Sequence, residues 1–85
     1  MAANKEEDRH IAKTARAAAA RINLDISELH ITCGNGNIDM IGKVRAPRGA
    51  TGSISVRKEF QSMIAVIRNV RGVRDVQSSR VVIFD

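Results

Sequence analysis

The stretch LHITCGNGNIDMIGKV, residues 29–44, alternates apolar and polar residues on both sides of the pair Asn35-Gly36. Asn-Gly is the preferred central pair of a type I′ hairpin turn, because both central residues take positive φ and these two types tolerate it best. Residues 29–33 and 38–44 are therefore predicted as antiparallel strands. Three pairs then face each other on one side of the hairpin: Cys33 with Ile38, Ile31 with Met40, and Leu29 with Gly42.

The second side of the hairpin is polar, with one apolar exception at Ile41. Because only one side is apolar, we expect cover on that side alone. The polar side carries His30, Thr32, Asp39 and Lys43.

Helical periodicity predicts one helix on each side of this hairpin. Residues 4–21 place Ile11, Ala15, Ala18 and Ile22 on one stripe, and Asn4 with Glu7 resembles a capping box. The connector at residues 24–27 is expected to add Leu24 or Ile26 to the edge of the core. Residues 55–69 form the second helix, with an apolar face of Val56, Phe60, Met63, Ile64 and Ile67.

Gly72 ends the second helical unit, and residues 80–84 read as a last strand that is apolar on both faces. The predicted order is α-β-β-α-β: an α+β domain with two helices on one face of a three-stranded mixed sheet. Residues 1–7 are interpreted as an N-terminal tail or cap, and residues 8–85 as the single domain.

Length and composition favour a binding module. A chain of 85 residues hides only about 60% of its unfolded surface, which leaves little room for a deep catalytic cleft. No apolar run is long enough to span a bilayer, and the charged N-terminus does not resemble a signal peptide. We therefore expect a cytoplasmic protein, or a periplasmic one if a signal segment has been removed. The single cysteine, Cys33, is interpreted as a small core residue.

Positive charge is concentrated in the second half of the chain. The formal net charge is +5, and residues 43–74 hold eight basic residues against one acid, whereas residues 23–42 hold three acids and no base. This distribution indicates a polyanionic partner.

The loop before the second helix is the best candidate site. A glycine-bearing loop that opens onto a helix offers free backbone N–H groups to phosphate, although this one lacks the Gly-Lys-Ser/Thr end of a P-loop. Its Gly49-Ala50-Thr51-Gly52 segment also matches the GxxG loop of KH domains, but here a strand precedes the loop. The predicted anion-binding residues are Arg45, Arg48, Gly49, Gly52, Ser53, Arg57 and Lys58.

Catalytic chemistry has little support in the sequence. Neither His10 nor His30 has a nucleophile or a paired acid at a useful spacing, and no metal-ligand spacing is present. We expect a protein that is not an enzyme and uses no cofactor and no metal.

Taken together, the pattern resembles the BON domain, named for bacterial osmotically inducible and nodulation proteins. The resemblance runs from about residue 8 to residue 84. It rests on Ile31, Gly36, Ile38, Met40, Gly42 and Val44, followed by Ala65, Val70, Gly72, Val73 and Val76.

The resemblance implies a non-catalytic module that docks on anionic phospholipid or on membrane-associated partners. A KH-like role on the phosphate backbone of RNA or DNA is the first alternative, and a protein-protein interaction domain is the second. The family supplies no established ligand residues, so the predicted site rests on charge and loop chemistry.

Overall fold

The computed structural model describes residues 5–47, 49 and 55–84. Two helices cover one face of a three-stranded mixed sheet with strand order β1-β2-β3, which confirms the predicted α+β architecture. The elements are α1 (Lys5–Ala20), β1 (Leu29–Gly34), β2 (Asn37–Arg45), α2 (Val56–Arg68) and β3 (Asp75–Phe84).

The hairpin formed by β1 and β2 has the predicted register. Leu29 pairs with Gly42, and Cys33 pairs with Ile38. Asn35 and Gly36 take φ values of 58° and 81°, as a two-residue turn of type I′ requires. The turn residues alone were therefore enough to fix the antiparallel pairing.

Helix α1 packs its small-residue stripe against the sheet. Ile11 and Ala15 are buried as predicted, but the third buried position is Ala19, and Ala18 is only partly covered. In the run of four alanines at residues 17–20, side-chain size could not distinguish the buried position from its neighbours. The helix begins at Lys5, and Asn4 of the predicted capping box lies outside the described residues.

Helix α2 matches its predicted span and orientation. Ser55 caps the first turn, and its hydroxyl oxygen accepts a hydrogen bond from the Lys58 backbone N–H. The buried face joins the sheet and α1 in one apolar core. That core consists of Ile11, Ala15, Ala19, Leu24, Leu29, Ile38, Met40, Val44, Val56, Phe60, Met63, Ile67 and Val76.

Strand β3 begins at Asp75, five residues before the predicted start at Arg80. It runs parallel to β2, which requires a crossover through α2. The prediction missed the first half because Gln77-Ser78-Ser79 is polar and has no apolar alternation.

A β-bulge in β3 decides which of its side chains face inward. Asp39 pairs with Gln77 and Ile41 pairs with Arg80, so Met40 lies opposite two residues, Ser78 and Ser79. The extra residue reverses the alternation. Val76 points inward before the bulge, whereas Val81 and Ile83 point inward after it; Val82 and Phe84 are exposed on the outer face.

Neither of the two described helices is long and apolar enough to cross a membrane.

Candidate functional site

The predicted anion-binding residues lie around the junction of β2 and α2, and the structure describes part of the set. Gly49 is an exposed turn residue with a φ of 78°, and Arg57 and Lys58 are exposed in the first turn of α2. The Lys58 backbone N–H donates to the Ser55 hydroxyl at 3.3 Å, so the cap already occupies one amide of this helix end. Arg48, Gly52 and Ser53 lie outside the described residues.

Arg45 makes its contacts at the end of β2. Its guanidinium forms an ion pair with Glu28, and its Cζ atom lies 5.2 Å from the centre of the Phe84 ring. These groups lie on the outer face of the sheet, whereas α2 packs on the inner face. An anion-binding role for Arg45, Arg57 and Lys58 stays a prediction.

The outer face of the sheet carries a patch in which apolar and basic side chains alternate. Each of three neighbouring pairs between β2 and β3 joins one apolar residue to one cation. This outer patch consists of the pairs Ile41 with Arg80, Val82 with Lys43, and Phe84 with Arg45.

The apolar members of the outer patch are open to solvent. Ile41, Val82 and Phe84 keep 39%, 52% and 45% of their surface exposed. The Lys43 Nζ atom lies 5.9 Å from the centre of the Phe84 ring, so the ring has cation–π contacts with Lys43 as well as Arg45. The patch thus presents apolar surface and positive charge to the same partner.

Two carboxylates border the outer patch and pair with its arginines. Glu28 binds Arg45, and Asp39 accepts a hydrogen bond of 3.0 Å from Arg80. These exposed ion pairs are weak in water, typically below about 1 kcal/mol. They orient the guanidinium groups without removing them from the surface.

Sequence reasoning missed the outer patch because it depends on long-range pairing. The hairpin alone indicated Ile41 and Lys43 on one face. The parallel register of β2 and β3, together with the bulge, brings Arg80, Val82 and Phe84 beside them. Only the apolar run at residues 81–84 gave a signal. Because alternate residues of a strand face opposite sides, either Val81 and Ile83 or Val82 and Phe84 had to face outward.

Asp8 holds the N-terminal half of α1 to the hairpin turn. Its carboxylate accepts hydrogen bonds from the backbone N–H groups of Asn35 and Gly36, both at 3.1 Å, and from the Cys33 thiol at 3.5 Å. The Asn35 bond is the main cause of a lowered pKa for Asp8; partial burial opposes it, and the Gly36 and Cys33 bonds add to it. Sequence reasoning did not identify this contact, because the two partners lie far apart in the chain.

Cys33 is partly buried beside this carboxylate, on the inner side of the sheet. Burial raises the pKa of the Cys33 thiol above its ordinary value of 9.0, and the hydrogen bond to Asp8 raises it further. A raised pKa keeps the sulfur protonated and unreactive. These features support the interpretation of Cys33 as a packing residue.

Both histidines are exposed in the structure. His10 lies on α1, and His30 lies on the outer face of β1 opposite Ile41. Within residues 5–47, 49 and 55–84, no group of three His, Cys, Asp or Glu side chains could hold a metal ion. That the protein is not an enzyme stays a prediction.

Comparison with protein-family models, with curated proteins and with solved structures gave no match. The resemblance to the BON domain therefore rests on the residue pattern alone.

Proposed function

We propose that this protein is a non-catalytic, BON-like binding module that docks on anionic phospholipid surfaces through the outer patch. The observation that carries the proposal is the pairing of exposed apolar and basic residues across β2 and β3. A phospholipid interface offers negatively charged phosphates and apolar chains within a few ångströms of each other. The outer patch offers a complement to both.

Phe84 and its two neighbouring cations form the centre of the proposed docking surface. An aromatic ring can enter the boundary between headgroups and acyl chains, while long basic side chains extend to the phosphates. Lys43 and Arg45 both lie over the Phe84 ring. Their aliphatic stems also fit an apolar boundary, so ring and cations can act on the same small area of membrane.

The outer patch fits other partners less well. A second copy would bring three cations of each copy together, which opposes pairing of two such patches. Single-stranded nucleic acid is usually held by several aromatic stacking platforms, and this chain has only two aromatic residues, of which Phe60 is buried. Phosphate-backbone binding and protein binding remain the alternatives that the experiment must separate.

The test is sedimentation with vesicles of phosphatidylcholine, with and without an equimolar share of phosphatidylglycerol. We expect binding only to the anionic vesicles, and a steep loss with added salt, because each basic residue near such a membrane contributes about 1 kcal/mol that salt screens. Lys43→Glu should weaken vesicle binding about tenfold or more, since it replaces attraction by repulsion. Phe84→Ser should weaken binding at every salt concentration.

Two control variants test the location of the site. Lys13→Glu makes the same charge change on the exposed side of α1, and Arg57→Glu with Lys58→Glu tests the helix end predicted from the sequence. Equal losses in Lys13→Glu and Lys43→Glu would show that only total charge matters. A larger loss in the helix-end variant would move the site to α2, and a gel shift with RNA in the absence of vesicle binding would replace the lipid by nucleic acid.

A further inference from the structure

A groove on the opposite edge of the molecule has features that the proposed docking surface does not use. It lies between α1 and β1 and has a volume of about 330 Å³. Ala12, Ile31 and Cys33 give it an apolar lining, and Lys5 and Arg9 contribute positive charge from α1. The groove is open to solvent.

Strand β1 presents unpaired backbone groups along this groove. The Lys43 N–H donates to the Glu28 carbonyl at 3.1 Å, which fixes Glu28 as a residue whose backbone faces β2. Because backbone direction alternates along a strand, Leu29, Ile31 and Cys33 turn their N–H and C=O groups towards the free edge. Within the described part of the chain, no hydrogen bond engages these groups of Ile31 and Cys33.

Leu29, at the start of β1, does form hydrogen bonds with its backbone groups on the free edge. Its N–H donates to the Ile26 carbonyl at 3.0 Å, and its own carbonyl accepts from the Arg16 guanidinium at 3.3 Å. The molecule therefore closes the free edge at its Leu29 end and leaves it open at Ile31 and Cys33. This open section coincides with the groove.

The charges on the groove favour an acidic ligand. Lys5 and Arg9 are four residues apart on α1, so both lie on one side of the helix. Asp8 also lines the groove, but its two carboxylate oxygens accept bonds from the hairpin turn and the Cys33 thiol. The groove thus combines an apolar floor, two cations and open backbone hydrogen-bonding groups.

We propose that the groove binds an extended acidic peptide segment of a partner protein, which adds to β1 as a fourth strand. Backbone hydrogen bonds to Ile31 and Cys33 would hold the segment, as in other cases of strand addition. Its inward side chains would be apolar over Ala12 and Ile31, and acidic at the end that lies near Lys5 and Arg9. A fatty acid would use the apolar lining and the cations but not the backbone groups.

The probe for the first experiment is the blocked heptapeptide Glu-Thr-Val-Thr-Val-Thr-Glu, with a fluorescent label. One side of this strand carries the valines between two glutamates, so one glutamate lies near Lys5 and Arg9 whichever way the strand runs. Two derivatives are methylated on the backbone nitrogens, one on alternate residues and one on the remaining residues. In an added strand only one set of N–H groups faces β1, so one derivative should bind like the parent and the other should not.

Variants of the protein test the predicted position of the peptide. Arg9→Glu should weaken binding about fivefold, because it places a like charge beside the acidic end of the peptide. Lys13→Glu makes the same charge change one helical turn away, outside the groove lining, and should change binding little. Hydrogen exchange of the Ile31 and Cys33 amides should slow when the parent peptide is added.

Several results would overturn the proposal. These are no measurable binding of the parent peptide, equal binding of both methylated derivatives, or equal effects of Arg9→Glu and Lys13→Glu. Binding of decanoate in the groove without peptide binding would identify a site for small amphiphiles instead.

Discussion

The two phenylalanines of this chain lie on opposite faces of one sheet. Phe60 keeps only 3% of its surface exposed, in the core between α2 and the sheet, whereas Phe84 keeps 45% exposed between Lys43 and Arg45 on the outer face. Phe60 contributes to stability through packing; Phe84 is available to a partner. From this comparison we expect that substitutions on the inner face destabilise the fold, whereas substitutions on the outer face change the folding free energy little.

The largest expected effect is that of Phe60→Ala. Truncating a buried phenylalanine costs about 3–5 kcal/mol, which approaches the whole stability of many small domains. Phe84→Ala should cost less than about 1 kcal/mol, because it removes only exposed surface and weak cation–π contacts. Denaturant unfolding of both variants measures this difference, and similar losses would contradict the division between the faces.

A second effect concerns the close approach of β1 and β2 at Gly42. A Cβ atom here would overlap the Glu28 carbonyl oxygen, and the φ of 125° is one that side chains rarely adopt. We expect Gly42→Ala to destabilise the domain by about 2–3 kcal/mol. The control is Gly34→Ala, since a Cβ atom at Gly34 meets nothing within 4 Å. Thermal unfolding should separate the two variants clearly, and equal melting temperatures would show that the strands can move apart at Gly42.

A third and smaller effect concerns the contact of Asp8 with the hairpin turn. Hydrogen bonding lowers the pKa of Asp8 in the folded protein below the ordinary value of 3.8, so the ionised carboxylate stabilises the fold. This stabilisation is complete above that ordinary value and is lost as the pH falls through the lowered one. Asp8→Asn should therefore destabilise the protein near neutral pH, and the difference should shrink in acid.

Melting curves of the Asp8→Asn variant over a pH series test this expectation, with Glu59→Gln on α2 as the control. If the difference in stability between Asp8→Asn and the parent stayed constant down to strongly acidic pH, the hydrogen bonds from the Asn35 and Gly36 amides would not depend on the charge of Asp8.

Much of the fold could be predicted because its signals are local. The Asn35-Gly36 turn set the register of the hairpin, and helical periodicity identified the buried face of α2 that includes Phe60. The start of β3 could not be predicted, because Ser78 and Ser79 form an irregularity that only pairing with β2 defines.

The candidate surfaces were harder to predict from the sequence, because they also depend on pairing between distant segments. Arg45 was identified as a binding residue, but its neighbours across the sheet depend on strands far apart in the chain. Lys5 and Arg9 were not identified as candidate residues. Their relation to the open edge at Ile31 arises from tertiary packing of α1 on β1.

The bulge at Ser78-Ser79 also makes the outer face tolerant of one change in chain length. Val76 and Val81 are five residues apart, and both face the helices only because Ser78 and Ser79 together lie opposite Met40. Loss of either serine would leave one residue opposite Met40 and simple alternation through β3, with Val81 and Ile83 still inside and Val82 and Phe84 still outside. A single-codon deletion at this point could thus remove the bulge and keep both sides of the strand, so evolution can change the length of β3 here without changing its surface.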